Sequence, residues 1–227
     1  MRFRCKPGFV MLFCAPGVYR PEADTWLLKR AFDGARIQRG GRVLDICTGS
    51  GALAIAAARA GAAEVTAVDI SRAAVASAWL NSRCRGLGIE LLRGDFEAVL
   101  GDRRFDVVLA NPPYVPTPPG VHTRGPARAW NAGPTGREIL DRLCALLPRL
   151  LSAQGVALIV HSTLADPDRT VGLLRDQRLK AAVVARSQIP FGPVLRGRAA
   201  WLAAAGHIAS DQNREDLVVI RADRTRA

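Results

Sequence analysis

The stretch "GRVLDICTGSGALAIAAARA", residues 41–60, decides how this chain is read. Residues 41–46 form a short apolar run that reads as a buried strand. A glycine-rich turn follows, and "ALAIAAARA" (52–60) is a run of strong helix formers. Strand, glycine turn and helix open a βαβ unit. Gly49-x-Gly51-x-x-Ala54 matches the dinucleotide fingerprint loosely, and Asp69 ends the next expected strand. A plain tight turn would also use glycine here, so the surrounding acids have to choose the ligand.

The pattern repeats on both sides. "EADTWLLKRAF" (22–32) predicts a helix capped by Asp24 or Thr25, with Trp26, Leu27, Leu28 and Phe32 on its apolar face. "EVTAVDI" (64–70) is a second strand. Ser71 caps a helix over 72–84 that ends near Gly86. "IELLRGD" (89–95) and "FDVVLA" (105–110) are the third and fourth strands. A helix is expected over 135–151, with Pro148 kinking or ending its last turn. "GVALIVHS" (155–162) is a fifth strand, and Asp166 and Pro167 open a helix over 166–177. Two final strands, 180–187 and 215–221, are joined by a connection with a short helix near 195–205. Alternating strands and helices predict an α/β fold with a mostly parallel sheet and helices on both faces.

Three acids fall at successive strand ends: Asp45, Asp69 and Asp95. Ligands of open α/β sheets sit at these carboxyl ends. A carboxylate at Asp45 would repel a pyrophosphate at the following helix N-terminus, whereas a cationic or zwitterionic ligand would suit it. Asp69 can hold ribose hydroxyls, and Asp95 can accept from an exocyclic amine. With no lysine in the turn, the set fits a sulfonium nucleoside, S-adenosylmethionine, better than NAD or ATP. Each acid alone has an ordinary structural role as a cap or turn residue; the three together are harder to explain that way.

The fourth strand stops at "NPPY" (111–114). Proline cannot donate to a sheet ladder, so the strand tip carries an amide and free carbonyls. The Asn111 side-chain oxygen and the Pro112 carbonyl are two acceptors able to grip an –NH2 group. Such a grip fixes a poorly nucleophilic amide or aromatic amine and stabilises positive charge developing on it. Tyr114 can pack over the planar acceptor group. The Pro/Gly-rich stretch 111–136 is expected to be the active-site loop.

The sum of motifs "DICTGSG…VDIS…GDF…NPPY" resembles the HemK-type class I N5-glutamine methyltransferases, which modify the GGQ glutamine of release factors. "GVYRPEADTWLL" (17–28) and "AWNAGPTGREILDRL" (129–143) resemble segments of the family's short branch, which lacks an N-terminal helical domain. The resemblance implies a Rossmann-like seven-stranded sheet with an antiparallel last strand. It implies that Asp45 and the backbone of Cys47, Gly49 and Gly51 hold the methionine end of the cofactor, with Tyr19 and Thr25 lining that pocket. By the same resemblance Asp69 holds the ribose, and Asp95 with the Phe96 amide holds the adenine. Asn111 and Pro112 grip the substrate amide beside Tyr114, and Asn111 borders the cofactor. Cys47 stands where the family usually has glycine, a change a backbone contact survives provided φ stays negative. In the family so resembled, eukaryotic and archaeal members also use a small zinc-binding activator subunit, which leaves such a partner open for this chain.

The 227 residues suit one domain, taken as 17–227 after a leader at 1–16, in which Met11 is an alternative start. The connection 188–213 is a candidate lid. The apolar "FVMLFCA" is too short for a membrane span and is not followed by a cleavage site. Five scattered cysteines without a CxxC pair argue against a disulfide framework or a zinc knuckle and for a reducing cytoplasm. The net charge is +12, and of 32 basic residues only Lys6, Lys29 and Lys180 are lysine. That surface is either simply solvated or meets RNA, the ribosome or an acidic protein. His122, His161 and His207 share no metal-like spacing. Trp130 is either a lid contact or satellite core. Arg124, Arg128 and Arg137 are either solvated or face a partner. Besides a release factor glutamine, the candidate acceptors are an exocyclic amine of RNA or DNA, for which NPPY also serves, and a small molecule. An NAD-dependent oxidoreductase is disfavoured by Asp45 and NPPY.

Overall fold

The computed structural model describes residues 11–35, 40–121 and 125–224. The residue 1–10 part of the expected leader, His122 and Arg124 lie outside them. The strands are β1 (Arg42–Ile46), β2 (Glu64–Asp69), β3 (Glu90–Arg93), β4 (Phe105–Ala110), β5 (Leu151–Ser162), β6 (Leu179–Pro190) and β7 (Arg214–Arg224). The helices are α1 (Ala23–Gly34), α2 (Ala52–Arg59), α3 (Arg72–Arg83), α4 (Phe96–Val99), α5 (Glu138–Leu150), α6 (Pro167–Asp176) and α7 (Pro193–Ala204). One seven-stranded sheet runs β3-β2-β1-β4-β5-β7-β6. β7 is antiparallel to both neighbours, and the other pairings are parallel.

Period-two alternation along the strands sorts their side chains between two cores. Leu44, Ile46, Val108, Ala110, Ile159 and Val218 face one side, where Leu140, Leu143, Leu147 and Leu150 of α5 and Leu174 of α6 cover them. Val43, Val107, Leu109, Leu158 and Val219 face the other, under Leu27, Leu28 and Phe32 of α1 and Leu53 of α2. The buried stripe of α5 follows the helical repeat. Pro148 lies in its last turn, and β5 starts directly at Leu151, four residues before the expected strand.

Caps behave as expected at two helices. Ser71 accepts from the Ala74 N–H, and Asp166 from the Arg169 N–H with Pro167 first in α6. At α1 the expectation fails. Glu22 is the N-cap and makes no side-chain cap bond, while Asp24 and Thr25 sit buried in the first turn. Their oxygens are used by the cavity described below. The unforeseen α4 is capped by Asp95.

Residues 188–213 are not one loose insert. Residues 188–190 complete β6, and α7 packs Leu195 and Leu202 with Phe191 against Val115 and Leu164. Residues 11–16 run along α3. Phe13 exchanges hydrogen bonds with the Asn81 side chain, and the Ala15 N–H donates to Ser77 Oγ.

Candidate active site

The carboxyl edge of β1, β2, β3 and β4 opens into one cavity of about 1140 Å³. The chain must turn at each strand end there, and the turns carry the predicted residues. Tyr19, Thr25, Cys47, Gly49, Asp69, Asp95, Phe96, Asn111, Pro112 and Tyr114 all stand in its wall.

Two predicted residues do not. Asp45 is 0% exposed and lies behind the turn. Its Oδ2 accepts from Thr48 Oγ1 at 2.6 Å and from the Ala54 N–H at 3.0 Å, while Oδ1 has no partner. Asp45 therefore braces the glycine turn from within, and burial pushes its carboxyl up to about 7. Gly51 faces α3, where an added Cβ would come 3.1 Å from Ala78 Cβ, and its φ of +84° also calls for glycine. Glycine here allows close packing of the turn on α3.

Gly49 is different. A Cβ there would meet nothing nearer than the Tyr19 carbonyl at 3.9 Å, so its face opens onto the cavity. Its N–H donates to Asp69 Oδ2 at 2.9 Å, and the Ser71 N–H donates to Asp69 Oδ1 at 2.8 Å. The turn and Asp69 are thus locked together. Cys47 has φ +58°, so the condition of a negative φ is not met. The chain must reverse immediately after β1, and the left-handed conformation that makes glycine usual here is imposed on a cysteine. Burial, then the carboxylates of Asp69, Asp45 and Asp95, hold its thiol well above the ordinary range, so it stands in the wall as a neutral group.

After β3, Asp95 accepts from the Glu97 N–H at 3.0 Å and pairs with Arg142 of α5 at 2.7 Å. At the other end, Asp24 is 4% exposed and gathers donors. Both of its carboxylate oxygens lie 2.9 Å from the Tyr19 hydroxyl, and the Tyr114 hydroxyl donates to Oδ2 at 3.1 Å. Thr25 Oγ1 donates to Asp24 Oδ1 at 3.2 Å and accepts from Asn111 Nδ2 at 3.2 Å. Committing Nδ2 to Thr25 leaves Asn111 Oδ1 as the acceptor, beside the Pro112 carbonyl. Burial, then Asp24, raises both tyrosine hydroxyls well above their ordinary value, so both remain donors.

Glu215, at the start of β7, closes this wall. It is 6% exposed, its Oε2 has no partner, and burial pushes it up to about 7 against a hydrogen bond from Ser162. Asp24, Glu215, Arg142 and Arg198 escape a motif-based reading. The available signals were a carboxylate on the apolar face of α1 and an acid opening an apolar strand.

The loop 111–136 is pinned from outside. Arg198 of α7 donates to the Pro116 carbonyl at 2.9 Å, Thr117 Oγ1 at 3.4 Å and Asn131 Oδ1 at 2.6 Å. Trp130 and Arg128 are in the cavity wall. Arg137 neither meets solvent nor faces a partner. It is buried and donates to the carbonyls of Ala165 and Asp166, to Thr170 Oγ1 and to Asp141. His161 is buried between Thr170 and the Ser162 carbonyl, and burial lowers it to about 4. His207 lies 5.5 Å from the Trp201 ring.

An open glycine cradle, a locked carboxylate at the end of β2 and a second acid at the end of β3 fit S-adenosylmethionine. Sheet order, cradle and the NPPY tip together define an S-adenosylmethionine-dependent methyltransferase. Residues 13–119 match the Methyltransferase small domain family. A protein of Methanocaldococcus jannaschii that bears the name "Putative protein N5-glutamine methyltransferase" is 37% identical over 179 residues, 78% of this chain and 88% of that one. Methyltransferase HEMK2 of Homo sapiens is 31% identical over 75% of this chain and 84% of that protein. The release factor glutamine methyltransferase of Gloeobacter violaceus is 37% identical over 70% of this chain, which spans 58% of it. The chain belongs to the protein N5-glutamine methyltransferase family. Among solved structures, E. cuniculi Mtq2 in its Trm112 complex superposes with TM-score 0.60 at 20% identity, covering 92% of this chain and 99% of that one. Among the described residues no helix is long and apolar enough to cross a membrane.

Proposed function

We propose that this chain methylates the side-chain amide nitrogen of a protein glutamine, and that the protein is a translation release factor carrying a GGQ motif. The observation that carries the reading is the orientation of Asn111. With Nδ2 held by Thr25, its Oδ1 and the Pro112 carbonyl form a pair of acceptors for one –NH2 group. A primary amide presents two N–H donors in one plane and satisfies both. Pulling on both N–H bonds fixes the nitrogen and favours its pyramidalisation. S-adenosylmethionine, when bound, supplies a methyl group made electrophilic by its sulfonium sulfur. Asp69 would hold its ribose, Asp95 its adenine, and the face of Gly49 its methionine end.

The amide nitrogen must shed one proton. Asp24 is already occupied by Tyr19, Tyr114 and Thr25, whereas Glu215 has an unpartnered oxygen and a carboxyl poised near neutrality. Glu215 is the acid of this wall suited to take that proton up. The names of the relatives from G. violaceus and M. jannaschii support a glutamine acceptor, and the first of them supports a release factor. The same reading places the enzyme in the cytoplasm.

The test is methyl transfer from labelled S-adenosylmethionine to a recombinant GGQ release factor, with and without a Trm112-type subunit, such as accompanies the E. cuniculi neighbour. Label is expected in the GGQ glutamine with the natural chain. It should be absent with Asn111→Ala, which still binds the cofactor. The +12 charge favours RNA as the other acceptor. Label entering ribosomal RNA and not the factor would replace the proposal with that reading.

A further inference from the structure

Arg142 belongs to none of the motifs that point to the site, yet α5 delivers it to the cavity wall one turn beyond Glu138. Its Nη2 lies 2.7 and 2.8 Å from the two oxygens of Asp95, and its Nε lies 3.1 Å from Glu97 Oε2. The guanidinium carbon stands 5.1 Å from the centroid of the Phe96 ring. Three consecutive residues, Asp95, Phe96 and Glu97, are thus fixed by one side chain from a helix 47 residues away. Asp95 also accepts from the Glu97 N–H, so its carboxylate is held from two directions.

This arrangement contributes little to the fold. The Arg142, Asp95 and Glu97 side chains are each more than a third exposed, and ion pairs at such exposure stabilise weakly. Its effect falls instead on the orientation and charge of Asp95. Burial would raise that carboxyl, but Arg142 and the Glu97 N–H outweigh it and hold Asp95 below the ordinary carboxylate range. A fixed, ionised acceptor discriminates between purines. It receives a hydrogen from a 6-amino group and meets only another acceptor at a 6-oxo group.

We propose that Arg142 is a positioning residue for the cofactor's adenine. By clamping Asp95 it makes the site selective for a 6-aminopurine nucleoside over its 6-oxo counterpart. The inference rests on assigning the Asp95 end of the cavity to the adenine, and Asp95→Asn tests that assignment separately.

The experiment is calorimetric binding of S-adenosylhomocysteine and of S-inosylhomocysteine, its 6-oxo counterpart, to the full chain and its variants. Arg142→Met should weaken S-adenosylhomocysteine about tenfold and change the 6-oxo compound less than about twofold, so selectivity shrinks. Arg142→Lys should fall between, because an ammonium offers a point charge and no fork. In an Asp95→Asn background, Arg142→Met should add less than about twofold, since it acts through Asp95. The unliganded Tm should move by no more than about 2 °C, and Arg142→Gln replaces Arg142→Met if the latter is poorly folded. Unchanged or tighter binding by Arg142→Met overturns the proposal, the tighter case meaning that Arg142 competes with the cofactor for Asp95. Equal loss for both compounds also overturns it and leaves Arg142 a structural residue. No effect of Asp95→Asn instead removes the adenine assignment itself.

Discussion

Asn111 Nδ2 and Thr25 Oγ1 meet at 3.2 Å across 86 residues of chain. The first turn of α1 thereby sets which way the Asn111 amide is turned. Thr25→Val keeps the shape and removes the hydroxyl. It should lower kcat about ten- to a hundredfold while Kd for S-adenosylhomocysteine changes less than about threefold. Thr25→Ser should restore most of kcat. A variant that loses cofactor affinity with kcat intact would show that Thr25 serves the cofactor and not Asn111.

Cys47 is held at φ +58°, and its strain can be weighed against its packing. Cys47→Ala and Cys47→Gly both lose the thiol, but only glycine relieves the left-handed conformation. The glycine variant should be the more stable of the two by about 1 kcal/mol in urea unfolding. Equal stabilities would mean that the turn relaxes freely around a side chain.

Glu215 gives the stability a definite slope with pH. Its folded carboxyl sits at about 7 against an ordinary 4.5, so the fold favours the protonated form. Below pH 4.5 both states are protonated and nothing is lost. Between pH 4.5 and 7 the unfolded chain ionises first and stability falls, by up to about 3 kcal/mol once both states are ionised. Asp45, raised from 3.8 to about 7, acts with the same sign. Glu215→Gln removes one share of this, so its Tm advantage should be present at pH 8 and absent at pH 4.5. An advantage equal at both values would locate the effect in packing.

Arg198 replaces three separate partners for the active-site loop. Arg198→Met leaves the Pro116 carbonyl and Asn131 Oδ1 without their donor and should cost about 1–3 kcal/mol of stability. If the loop carries the acceptor site, as proposed above, kcat/KM for the protein substrate should fall more than tenfold with cofactor Kd within twofold. Loss of cofactor binding in step with activity would show that the loop and the cofactor pocket are one cooperative unit.

The fold and much of the site are legible in the sequence because they rest on local rules. Glycine at 49, acids closing β2 and β3, and prolines after Asn111 each follow from what the backbone allows at a strand end. What the sequence conceals depends on distance in space. Asp24 reads as a helix cap until Tyr19, Tyr114 and Thr25 are seen around it. Asp45 reads as a ligand until its burial behind the turn is seen. Arg137 and Arg198 look like surface charges, and only packing reveals whose carbonyls they hold. The sign of φ at Cys47 is likewise set by the tight reversal after β1, which a residue type alone does not disclose.

The clamp from α7 onto the loop has a consequence for how such a chain can diversify. α7 lies between β6 and β7, so the hairpin at one end of the sheet and the loop after β4 are fastened together by the Arg198 guanidinium and by the apolar contact of Phe191, Leu195 and Leu202 with Val115. The cradle of Gly49, Asp69 and Asp95 belongs to the opposite end, built by β1, β2 and β3. The molecule is divided into a part that can be inherited unchanged and a part that can be retuned. On the function proposed above, substitutions along α7 would alter the loop after β4 without touching Gly49, Asp69 or Asp95.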